Sequence, residues 1–128
     1  MIVVDTSALM AVIFDEEDRD LHFRAITGAR RAFMAAGTVV EVAAVYASAF
    51  GGEDARRVRD DLSSLGIEVA PMTAEQAWIA ADARFLYGKG RNGLNFGDCF
   101  PYALAKTMDL PLLFKGNDFI HTDLKFVI

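Results

Sequence analysis

The chain has one cysteine in 128 residues, which excludes an internal disulfide framework and any cysteine-rich zinc cluster. Its two histidines, His22 and His121, have no partner at metal-ligand spacing, and both read as surface residues. Basic residues are in deficit: 13 Lys and Arg stand against 18 Asp and Glu, a net charge of −5. A passive nucleic-acid binder needs a basic surface, so that class is disfavoured. Met1-Ile2-Val3-Val4-Asp5 lacks the basic start of a signal peptide, and a cytoplasmic protein is the expectation. Repeats, low-complexity segments and linkers are absent. One weakly charged run, 32–50, is long enough to span a bilayer, but Gly37-Thr38 breaks it and Glu41 lies within it. A mid-span acid costs roughly 2.5–3.5 kcal/mol in a membrane, so a buried strand followed by a buried helix is expected there.

What the chain does have is apolar sequence, at 53%, enough to build the core of a single domain over residues 1–128. Ile2-Val3-Val4 reads as a short buried strand ending at Asp5, with Thr6 or Ser7 capping a helix that runs to about Phe14. A charged amphipathic helix is expected over Asp15 to Ala29, with Leu21, Ala25 and Ile26 inward and the run 15–18 as solvated charge at its start. Ala32 to Ala36 reads as a second strand. Thr38-Val39-Val40-Glu41 then matches a capping box at the head of a mostly buried helix that Gly51-Gly52 ends. Glu53 to Ser64 reads as a charged helix and Ile67-Glu68-Val69 as a third strand. Thr73 should cap a helix burying Ala77, Trp78, Ala81 and Phe85. Leu110 to Phe114 is a further buried strand, and Lys125 to Ile128 a short edge strand. Strands alternating with helices predict a parallel sheet covered on both faces.

Against that scaffold, Asp5, Glu41, Asp98 and Asp118 are each an isolated acid at the edge of an apolar segment. Taken singly they are ordinary: Asp5 in a strand-to-helix turn, Glu41 and Asp98 at helix starts, Asp118 in an Asn-Asp turn. Taken together, acids at the carboxyl ends of parallel strands share one rim, where open α/β sheets bind ligands. Carboxylates without a His or Cys cluster suit Mg²⁺ or Mn²⁺, and such cations let an acidic site face a phosphate. Cys99, beside Asp98, reads as a small buried hydrophobe. Lys89-Gly90-Arg91-Asn92-Gly93 is a basic glycine-rich loop that lacks the spacing of a P-loop.

Five segments also carry a resemblance: Val4-Asp5-Thr6-Ser7-Ala8-Leu9, Val39-Val40-Glu41-Val42, Leu94-Asn95-Phe96-Gly97-Asp98-Cys99, Tyr102-Ala103-Leu104-Ala105 and Leu113-Phe114-Lys115-Gly116-Asn117-Asp118-Phe119. In order and position they resemble PIN-domain ribonucleases of the VapC toxin type. The resemblance implies a PIN-like three-layer α/β/α sandwich with a central, mainly parallel sheet, often as a homodimer, and a Mg²⁺- or Mn²⁺-dependent endoribonuclease. It assigns the acidic site to Asp5, Glu41, Asp98 and Asp118, supported by Thr6, Ser7 and Asn117. It further implies RNA contact by Arg84, Lys89 and Arg91, and a cognate antitoxin that sets a peptide, often with a basic side chain, against the acids. Pro101 departs from the family pattern, which more usually has alanine; it fits only if the helix starts at Asp98, leaving the proline in its first turn. Two other readings stay open on the residues alone: a PIN scaffold that binds without cutting, and a phosphoacceptor signalling domain with Lys115 as its late lysine.

Overall fold

A computed structural model describes residues 1–128. The elements in chain order are β1 (Ile2–Val4), α1 (Thr6–Ile13), α2 (Arg19–Gly28), β2 (Ala32–Ala35), α3 (Ala36–Phe50), α4 (Arg56–Ser64), β3 (Ile67–Ala70), α5 (Ala74–Tyr87), α6 (Cys99–Met108) and β4 (Leu112–Leu113). The four strands form one sheet in the order β3-β2-β1-β4, and every pairing is parallel. A bridge between Leu112 and Phe126 adds the C-terminal tail at the β4 edge, a single parallel contact rather than a full strand.

Side-chain alternation along the strands divides the core into the two outer interfaces of a three-layer sandwich. Ile2, Val4, Ala32, Met34 and Leu113 face α1–α4, where Leu9, Val42, Tyr46, Val58 and Leu62 pack on them. Val3, Phe33, Ala35, Leu112 and Phe114 face the opposite side, where Ala80, Ala83, Tyr102 and Leu104 of α5 and α6 cover them. With helices on both faces, β1 is buried along its whole length, as its unbroken apolar run requires. The segment 32–50 is β2 followed by α3, and no helix of the chain is long and apolar enough to cross a membrane.

Several local expectations are corrected. Helix α1 is capped by Asp5 itself, whose carboxylate accepts from the Ser7 N–H at 3.0 Å, so neither Thr6 nor Ser7 is the cap. The run 15–18 is a turn between helices. Asp15 sits at φ 52° and the Glu16 N–H reaches back to the Ala11 carbonyl, which closes α1 with a Schellman motif. Helix α2 therefore starts at Arg19 and buries His22 and Ile26, while Leu21 is exposed. His22 is not a surface residue; it is 2% exposed and pairs with Asp18. The Thr38 capping box does not form, because α3 begins at Ala36 and Thr38 lies buried inside its first turns.

The largest reversal is α5. Thr73 caps it, donating nothing and accepting from the Gln76 N–H at 3.1 Å, but its inward residues are Gln76, Ala80 and Ala83. Trp78 is 73% exposed and Phe85 80%, with Ala77 and Ala81 also outside. The helix is apolar on two neighbouring stripes, so periodicity could not choose between them. The stripe that packs on the α6 side is Gln76, Ala80 and Ala83, which leaves Trp78 and Phe85 outside.

Candidate metal centre

The carboxyl rim of β1 and β4 places the acids. Asp5 follows the last residue of β1, and its N–H donates to the Leu113 carbonyl of β4 at 3.0 Å. Asp98 stands at the N-cap of α6, which begins at Cys99, so Pro101 lies in the first turn and breaks no bond. Asn95 and Asp98 brace one another: the Asn95 N–H donates to Asp98 Oδ2 at 3.0 Å, and the Asp98 N–H to Asn95 Oδ1 at 2.9 Å. Glu41 projects from α3, and Asp118 lies on the loop after β4.

Two glycines let α3 and α6 close on one another. A Cβ on Gly37 would stand 2.6 Å from the Phe100 ring, and one on Gly97 would stand 1.8 Å from Glu41 Oε2. Glycine at 37 thus lets α3 approach the Phe100 ring, and glycine at 97 leaves room for the Glu41 carboxylate beside the Asn95–Asp98 turn. Glu41 also accepts from the Thr6 hydroxyl, which ties it to the residue after Asp5.

The electrostatics couple the acids to one another. Asp5 is 4% exposed, and its carboxyl is pushed up to about 6 by burial, with the Glu41 charge adding and the Ser7 hydrogen bonds opposing. Asp98, 6% exposed, is pushed up to about 7, first by burial and further by the charges of Asp5 and Asp118, against the Asn95 hydrogen bond. Each of the four acids is thus within electrostatic reach of another.

Three of the acids present one oxygen each. Asp5 Oδ2 accepts from the Ser7 N–H at 3.0 Å and hydroxyl at 2.5 Å, Asp98 Oδ2 from Asn95, and Glu41 Oε1 from Thr6. Asp5 Oδ1 is buried with no hydrogen-bond partner. A buried orphan acceptor is costly unless something satisfies it, and a hard cation bound by carboxylate oxygens would do so. No three acids stand at coordination-cluster spacing. The all-carboxylate donor set fits Mg²⁺ or Mn²⁺ and lacks the His and Cys ligands that zinc prefers.

The remaining candidates separate. Ser7 is locked, donating to Asp5 while its Oγ accepts from the Lys115 N–H at 2.9 Å. Asn117 is exposed and its side chain makes no hydrogen bond. Arg84 spends its guanidinium on the carbonyls of Gly88 and Leu94, at 3.1 and 2.7 Å, and so braces the basic loop from inside. Lys89 and Arg91 are exposed and pair with no acid. The thiol of Cys99 is buried, donates to the Asn95 carbonyl at 3.3 Å and is raised above its usual range by that burial. Lys115 is occupied by Glu16 and Asp18, at 2.6 and 3.0 Å. Sequence reasoning missed those two acids and His22, and nothing in their spacing could have revealed a lysine 97 residues further on.

The PIN domain family model matches residues 2–125. The chain is a PIN-domain protein of the VapC ribonuclease family. It is 41% identical over 127 residues to VapC ribonuclease Mb0640 of Mycobacterium bovis, covering 98% of this chain and 97% of that one. It is 42% identical to Ribonuclease VapC of Mycolicibacterium smegmatis, covering 98% of each. Among solved structures, the Mycobacterium tuberculosis toxin VapC20, described as cleaving the sarcin-ricin loop, superposes with a TM-score of 0.79 at 17% identity, over 99% of this chain and 98% of that one. FitAcB from Neisseria gonorrhoeae gives 0.69 at 19% identity, over 98% and 96%. At such identities these structures establish the PIN fold. Family membership sets the phosphoacceptor reading aside, and the Lys115 amine, already paired with Glu16 and Asp18, gives that reading no support.

Proposed function

We propose that this VapC-family chain is a Mg²⁺- or Mn²⁺-dependent endoribonuclease toxin, acting in the cytoplasm as one domain over residues 1–128. The observation that carries the reading is the orphaned Asp5 Oδ1, buried among carboxylates that raise one another. Asp5 and Asp98 would hold the cation, with Glu41 and Asp118 completing the donor set. When bound, the cation supplies positive charge at the scissile phosphate. Thr6, Ser7 and Asn95 each fix one carboxylate oxygen, so the free oxygens keep a constant direction. Asn117 would support Asp118 from the same loop. Lys89 and Arg91 would contact RNA phosphates, and Arg84 would hold their loop in shape.

Two partners follow from the same reading. The acidic rim suits a basic side chain presented by an antitoxin peptide, and one structural neighbour is a toxin–antitoxin complex from Klebsiella pneumoniae. A second copy of this chain would cover the apolar face of α5. Trp78, Phe85 and Phe96 are each about three-quarters exposed, and with Leu86 they offer several hundred Å². That is of the order of the ~800 Å² each partner contributes to a standard interface.

Incubating the purified chain with total RNA, with Mn²⁺ or with chelator, tests the activity. Cleavage that appears only with the cation is expected. Metal binding without cleavage would instead leave a non-catalytic scaffold. Light scattering of wild type and Trp78→Ser would test the dimer, which the substitution should weaken.

A further inference from the structure

Lys115 joins the two sides of the rim through contacts that the proposed chemistry does not use. Its N–H donates to Ser7 Oγ at 2.9 Å, and Ser7 in turn donates to Asp5. Its amine donates to Glu16 Oε1 at 2.6 Å and to Asp18 Oδ1 at 3.0 Å. The other oxygen of Asp18 meets Nε2 of the buried His22 at 3.1 Å, so Asp18 is gripped from both sides. The next residue, Gly116, sits at φ 102°. The loop is anchored on its far side by Phe119, which is fully buried against Phe114, and on its near side by Lys115, with the freely turning Gly116 between Lys115 and Asp118.

We propose that Lys115, anchored by Glu16, Asp18 and His22, is a positioning residue that sets Asp118 and the Ser7–Asp5 pair for cation binding without itself touching metal or RNA. The proposal rests on the metal-site reading above. The Schellman turn at Asp15 turns the chain so that Glu16 meets the lysine, and α2 supplies His22 behind Asp18. The 15–18 turn is therefore a socket for the late loop. Partners that orient metal ligands from outside typically change metal affinity 10- to 100-fold when removed.

The test is calorimetric titration of Mn²⁺ into the full chain, wild type against Lys115→Met, Lys115→Arg and Asp18→Asn. Each melting temperature is measured in chelator, and amide exchange is followed at Lys115 and Ile120. Lys115→Met should weaken Mn²⁺ about tenfold and speed exchange at those amides, with the melting temperature nearly unchanged. Lys115→Arg, which can still reach both acids, should restore most of the affinity. Asp18→Asn should weaken Mn²⁺ severalfold, and it carries the test if Lys115→Met does not fold. Wild-type affinity in both charge-removing variants would overturn the proposal. If the wild type itself binds no Mn²⁺, the metal-site reading fails, and exchange alone then decides whether Lys115 anchors the loop: unchanged rates would overturn it.

Discussion

Asp5, Glu41 and Asp98 are each held by a neutral donor from their own surroundings, whereas Asp118 rides on a loop whose side-chain ties run through the charges of Lys115. The first three sit on a strand end and two helices, in a region where Asp5 and Asp98 are almost fully buried. The Lys115 ties lie between side chains that are a third or more exposed. Hydrogen bonds between neutral groups and carboxylates in a buried site are little affected by salt, while exposed ion pairs are screened. One half of the rim is thus fixed by neutral hydrogen bonds, and the other combines the buried Phe119 with charged ties at Lys115.

The comparison breaks most sharply at Asp98. Asp98→Asn keeps the shape and removes the charge that would hold the cation. The variant should fold, and its RNA cleavage should fall at least about a hundredfold, since metal catalysis contributes several kcal/mol. Cleavage rates of purified protein in Mn²⁺ check this.

Gly97→Ala strikes the fixed half without altering a charge. Its Cβ would meet Glu41 Oε2 at 1.8 Å, so the carboxylate or the 95–98 turn must move. A displacement near 1 Å at a reacting centre can cost up to about a hundredfold, and a loss of at least about tenfold is expected. The same substitution at Gly28, where a Cβ meets nothing, should leave cleavage at wild-type rates.

The buried acids also predict a pH dependence with a definite sign. In the metal-free protein burial and the neighbouring acids push the Asp5 and Asp98 carboxyls up to about 6 and about 7, above the ~4 of an unfolded aspartate. The native state therefore holds more protons than the unfolded chain between about pH 4 and 7, and stability in chelator should fall as pH rises through that window. The expected loss is on the order of a few kcal/mol, and Asp98→Asn should reduce it. Denaturant melts at several pH values measure both.

The smallest effect is expected at the basic loop, which lies outside both halves. Lys89→Ala with Arg91→Ala should lower the salt slope of RNA binding by about 0.7 per lost phosphate contact. Mn²⁺ affinity should be unchanged, as titration of each protein would show.

The strands and the placement of Asp5 after β1 and Asp98 at a helix start were legible because both are local. Ile2-Val3-Val4 followed by Asp5 can be little else than a buried strand with an acid at its end, and α1 buries Ala8 through Val12 as the pattern requires. Asp98 was legible with its consequence for Pro101, since proline allows only one placement of the helix start. Helix α5 was misread because both its stripes are apolar, and only the fit to α6 decides between them. The capping box at Thr38 failed because α3 begins two residues earlier, which frees Glu41 to turn toward Thr6. His22, Glu16 and Asp18 were illegible as a unit, because their meaning depends on Lys115 arriving from the far end of the chain.

The most direct test of the central claim, that these acids form one cation site, is a pair of thermal melts. Wild type and Asp98→Asn are each melted in chelator and then in excess Mn²⁺. Wild type should gain about 2.7 kcal/mol at a hundredfold excess of Mn²⁺ over the dissociation constant. Asp98→Asn should start more stable in chelator, because a repelling charge is gone, and gain much less from the metal. Equal gains in the two proteins would contradict the account, since Asp98 would then not belong to the site.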